Sequence, residues 1–292
     1  MSQWRFALLA LVVATTAAGC GTTRVNQFRQ FSVASVAYAD AVGPLTDAAG
    51  LAAVDVDSEV LMRTHGTLPR AERSQAVLKQ NAEAKHRLAV LADIARQARL
   101  LRSYFVALGG LAESDAPSQV GTAAQSVFES LGQVSDRVRT ASVGHQPVDK
   151  LVGQVVPITV AEFQRAALER ELRARAETLW TYLEIQEAAI RALAETLHDD
   201  LQGSLNARET REVVQPFLGD KLPKGWRKTR REVLTSQVNV ASADAAARAA
   251  GQLKVAFVAL VEGRFQASDF QALLEDIGRI LTVVESVEGM ES

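Results

Sequence analysis

The stretch ITVAEFQRAALERELRARAETLWTYLEIQEAAIRALAETLHDDLQ, residues 158–202, contains neither glycine nor proline. It is built from Ala, Leu, Glu, Arg and Gln, the residues that lose least on entering a helix. Leu168, Leu172, Leu179, Leu183, Ile190, Leu193, Leu197 and Leu201 recur at steps of mostly three, four and seven. That spacing lays one apolar stripe along a helix. The facing surface, in QRAALERELRARAET, alternates charge sign and suits water. At about 1.5 Å per residue the stretch predicts a rod of about 67 Å.

A second such stretch runs from Arg70 to Leu108. It predicts a rod of about 58 Å, with a stripe through Val77, Leu88, Leu91, Ile94, Leu101, Phe105 and Leu108. Gly109-Gly110 and Gly203 read as stops, and the prolines at 44, 69, 117, 147, 157, 216 and 223 as breaks. Thr159/Glu162, Asn206/Glu209 and Ser268/Gln271 have capping-box spacing and read as starts. VDKLVGQVVPITV and TSQVNVAS are the β-branched patches, read as a short helix and a helix junction. No alternating strand pattern persists. The fold expected is all-α, an elongated bundle of roughly six or seven helices with two long ones.

The N-terminus carries a different signal. Arg5 precedes the apolar run FALLALVVA, Phe6 to Ala14, and small residues lead to Ala17-Ala18-Gly19-Cys20. This is the layout of a secretory signal, too short to span a bilayer, which needs about 20 apolar residues. The four residues ending at Cys20 resemble the lipobox of bacterial lipoproteins, with Ala17 where leucine is commonest. The resemblance implies cleavage before Cys20 and acylation of its thiol and new amino terminus. It also implies export. Gly21 following the cysteine implies the outer membrane, facing the periplasm. The expected organisation is a removed signal at 1–19, a lipidated Cys20 with a short tether at 20–27, and a helical bundle at 28–292. Two or more acyl chains give stable anchoring where one is marginal.

Composition narrows the rest. Cys20 is the sole cysteine, so no intramolecular disulfide forms. Loss of residues 1–19 removes only Arg5 and moves the net charge from −2 to −3, giving no global attraction to nucleic acid. With aromatics at 5 % and alanine abundant, the packing expected is close helix on helix.

Glu83-Ala-Lys-His86 and Glu195-Thr-Leu-His198 have the Glu-x-x-His spacing of carboxylate-bridged di-metal bundles. Such ligands must point into the core. At 100° per residue Glu195 lies about 160° from Leu197 and His198 about 100°, so both face outward. His86 lies well off the first stripe. A di-metal enzyme is therefore the remote reading, and solvated helix surface is the expectation, with no metal or cofactor. No H-E-x-x-H, G-x-S-x-G, P-loop or G-x-G-x-x-G is present, and the reading is non-catalytic.

One stretch departs from scaffold composition: DKLPKGWRKTRRE, residues 220–232. Lys221, Lys224, Arg227, Lys228, Arg230 and Arg231 surround Trp226. Cationic heads beside an indole suit an anionic surface such as lipid headgroups, lipopolysaccharide phosphates or an acidic polymer. The plain alternative is a solvated turn leading into a helix, with Trp226 in the core. Three function classes follow: a lipid-anchored scaffold with an unnamed protein partner in the envelope, a binding module for an anionic envelope component, and an enzyme. The first is favoured. A large cleft between helices would favour the second.

Overall fold

The computed structural model describes residues 3–114, 117–144, 146–163, 165–235 and 243–288. Side chains are described from Arg24 onward, except at 243, 267, 269, 270, 281 and 283–288. Among the described residues are seven helices: α1 Gln3–His65, α2 Arg70–Glu113, α3 Pro117–Thr140, α4 Ala166–Glu209, α5 Trp226–Thr235, α6 Ala243–Val261 and α7 Ala267–Glu288. The fold is the all-α bundle expected from the helical spacing. The only strands among the described residues are a two-residue ladder pairing Ser142 with Pro147 and Val143 with Gln146.

α2 and α4 are the two rods read from the sequence, each 44 residues long. A third rod was not expected. α1 spans 63 residues and runs straight through Pro44. Proline inside a helix forfeits one backbone hydrogen bond and crowds the preceding turn. Here the flanking residues Ala41, Val42, Leu45, Ala48 and Ala49 are all buried, and that packing outweighs the local cost. The stretch 20–27, expected as a tether, is also part of α1. Gln27 already donates from Nε2 to the Phe265 carbonyl at 3.0 Å, and the Arg24 guanidinium sits 4.7 Å from the Phe163 ring.

Several expected stops and starts fall elsewhere. α2 continues through Gly109-Gly110 to Glu113, because a Cβ at Gly110 would come within 3.2 Å of Val120. That glycine serves the crossing of α2 and α3 and does not end a helix. α4 continues through Gly203, and Asn206/Glu209 lies inside it. It then passes into a π turn at Thr210–Val214 and a last turn at Gln215–Phe217. Thr159/Glu162 starts nothing. Residues 152–163 form an irregular strap fixed by the Ala161 N–H to the Val261 carbonyl (2.9 Å). Only Val148–Lys150 of the first β-branched patch is helical, as a 3₁₀ turn. Ser268 and Gln271 fall just inside α7, which begins at Ala267. TSQVNVAS lies outside the described residues from position 236.

The stripe of α4 is buried at every position read from the sequence, Leu168 to Leu201. The facing surface is not wholly solvated as expected. From Leu183 to Ile190 every residue is buried, including Glu184, Gln186 and Glu187, because α6 covers a second face of α4. α2 shows the opposite deviation. Leu91 to Leu108 of its stripe are buried, but Val77 and Leu88 are exposed. No residue from 54 to 89 is fully buried, so the α1–α2 hairpin thins into an arm at that end. Nearer the N-terminal end the core is aromatic. Phe31 packs edge-on to Phe105 at 4.8 Å, and Phe257 lies 6.0 and 5.8 Å from the two.

Contacts fix the direction of each helix. α1 leaves the end marked by Arg24, Phe163 and Phe265. Arg29 pairs with Glu113, while Arg87 pairs with Asp200 at 3.1 Å. α2 is therefore antiparallel to α1, and α4 is parallel to it. α4 delivers Arg211 to Glu59 of α1, near the far end. From Arg24 to Met62 the rise along α1 is about 57 Å.

Candidate functional site

The far end of the bundle is closed by the last turns of α4, the loop 218–225 and α5. A four-residue ion network latches this cap to α1. Arg211 binds Glu59 and Glu212 together, and Arg208 Nε donates to Glu212 at 3.1 Å. Burial pushes the Glu212 carboxyl up, but the hydrogen bonds from Arg211 and Arg208 outweigh it and hold it below the usual range. Arg211 is raised, first by its hydrogen bond to Glu212.

The cap carries the basic residues read from the sequence. Lys221, Lys224, Arg227, Lys228, Arg230 and Arg231 are all exposed. Among the described residues only Lys228 of these has a carboxylate partner, Glu232 at 3.6 Å, and its side chain remains 83 % exposed. Six cations against Asp220 and Glu232 give residues 220–232 a net charge of +4.

Trp226 is neither a core residue nor a free headgroup anchor. It is half-buried, its indole N–H donates to the Val213 carbonyl at 3.0 Å, and its ring stacks on Phe217 at 5.5 Å. Val233 is the buried residue of α5. The indole thus fixes the cap and presents Phe217 outward. Phe217 is 61 % exposed, Leu218 75 % and Leu222 51 %. These three apolar side chains beside the cations were missed in the sequence. The signal was there, in PFLGDKLPK: apolar residues in a segment too short and too broken to bury them.

Elsewhere, several buried charges are paired with each other. Lys254 of α6 contacts Glu184 and, at 2.5 Å, Glu187, both on α4. Its Nζ lies 5.5 Å from the Trp180 ring. Burial lowers Lys254, but the hydrogen bonds it donates to the two glutamates more than reverse this and raise it. Arg191 pairs with Glu187 at 2.5 Å, and Arg248 with the buried Asp276 at 3.3 Å. A cleft of about 600 Å³ between α4, α6 and α7 is lined by Glu187, Arg191, Arg248, Gln252 and Lys254. Its cations are paired with carboxylates, whereas in the cap, among the described residues, only Lys228 is. That contrast makes the cap the stronger site.

Glu83, His86, Glu195 and His198 all lie on exposed surface. Among the described residues no three His, Cys, Asp or Glu side chains come together in a way that could hold a metal ion. The side chain of Cys20 is outside the described set. No helix among the described residues is long and apolar enough to cross a membrane. The chain matches no protein-family model, no curated protein and no solved structure.

Proposed function

We propose that this chain is a non-catalytic, lipid-anchored scaffold of the bacterial envelope. It is held by an acylated Cys20 at the outer membrane and faces the periplasm, with no nucleic-acid partner. The signal layout ending at Cys20 supports this reading. So does the position of Cys20 on α1, which continues from it into the core and ties the bundle rigidly to the anchor. The one thiol of the chain sits where a membrane attachment would hold one end of the bundle and leave the other free.

The test is Cys20→Ser. The reading expects loss of incorporated lipid label and accumulation of the uncleaved precursor. Normal cleavage with unchanged membrane fractionation contradicts it.

A second reading is favoured by the exposed Phe217, Leu218 and Leu222 beside six cations. The cap is then a binding module for an anionic envelope surface. Soluble surfaces rarely expose apolar side chains in a cluster without a partner. Such clusters beside basic residues suit the interface of an anionic bilayer.

A further inference from the structure

The anchor and the cap stand at opposite ends of the bundle. α1 is continuous from Gln3 to His65, and the cap is latched to it at Glu59. About 57 Å of helix separates Arg24 from Met62. Charge is divided in the same sense. The chain from Cys20 onward carries −3, of which residues 220–232 contribute +4, so the rest carries −7. Screening confines electrostatic attraction to about 8 Å at physiological ionic strength. The cap therefore feels an anionic surface only on contact, while the acidic body is repelled from lying flat on it.

We propose that the protein bridges two surfaces: its N-terminal end is fixed in one membrane, and the cap docks on a second, anionic bilayer. The proposal rests on the cap reading above. The occupant follows from the composition of the cap. A soluble polyanion would satisfy Lys221, Lys224, Arg227, Lys228, Arg230 and Arg231 but would leave Phe217, Leu218 and Leu222 in water. A bilayer takes both, with phosphates against the cations and the apolar tips below them. The stack of Phe217 on Trp226, with the indole tied to the Val213 carbonyl, holds one apolar tip in place before contact.

The sole thiol makes the test independent of biological lipidation. The described packing begins at Arg24, so the chain from Cys20 to Ser292 keeps all of it. That chain is coupled through Cys20 to a maleimide lipid in neutral phosphatidylcholine vesicles. These are mixed with vesicles containing phosphatidylglycerol, and clustering is followed by light scattering and by co-sedimentation of labelled lipid. Bridging predicts clustering that disappears at high salt. Changing Arg227, Lys228, Arg230 and Arg231 to Glu should weaken contact by about a thousandfold or more. The double change Phe217→Ser and Leu218→Ser should also abolish clustering, in both cases with the helical circular-dichroism signal unchanged. If the uncoupled chain ignores both phosphatidylglycerol vesicles and soluble polyphosphate at low salt, the cap reading itself fails. If it binds them but the coupled chain does not cluster them, bridging is overturned and the cap reading stands. If soluble polyphosphate is bound and vesicles are not, the bilayer is the wrong occupant.

Discussion

Lys254→Met tests how the interior of the bundle is held. Lys254 is one of few cations inside it, with a side chain 18 % exposed, and it faces Glu184 and Glu187, whose side chains are 10 and 11 % exposed. Methionine fills a similar volume but removes the charge. Glu187 would keep Arg191, whereas Glu184 would keep only the Gly153 N–H at 2.9 Å. Breaking a buried pair by removing one partner costs about 3–5 kcal/mol, because a carboxylate is left unpaired out of water. The expected loss in a urea melt near neutral pH is in that range. Adding Glu184→Gln should recover part of it at neutral pH, which separates the charge effect from packing. The pKa of Lys254 is raised from 10.5 in the fold, so its contribution is complete below that value and is lost as the pH climbs through the raised one. Lys228→Met is the control: its pair with Glu232 is exposed and should contribute less than about 1 kcal/mol. Equal losses from Lys254→Met and Lys228→Met would refute the buried triad.

Leu183→Ala and Ile190→Ala each empty a site that is 1 % or less exposed and should cost about 2–5 kcal/mol by chemical denaturation. His198→Ala, on the exposed face of the same helix, should leave the denaturation midpoint within the scatter of a surface change, about 0.5 kcal/mol.

The two rods were legible because nothing in them competes with the helix: no glycine, no proline, and leucines at helical steps. α1 was not legible because Gly43, Pro44 and Gly50 look like punctuation. At Gly50 the reason is tertiary. A Cβ there would come within 2.7 Å of Leu88, so the glycine admits α2 and ends nothing. The burial of Glu184, Gln186 and Glu187 was equally hidden, since the charges that compensate it, Lys254 above all, lie on a helix far along the chain. Periodicity reports one face of a helix; how many neighbours surround it is decided by the assembled bundle. The cations of the cap were legible as composition. Its apolar half was not, because Phe217, Leu218 and Leu222 belong to a broken segment whose exposure depends on the latch at Arg211 and the tie from Trp226 to Val213.

The functional account depends on Cys20 and the cap being at opposite ends of one rigid body. The direct measurement is a pulsed electron-spin distance between a label on Cys20 and one introduced by Lys224→Cys, in the chain from Cys20 to Ser292. The account predicts a single narrow distribution centred at about 60 Å, the rise of α1 between Cys20 and the residues that hold the cap. A broad distribution, or one centred at half that distance, would place the cap beside the anchor and contradict it.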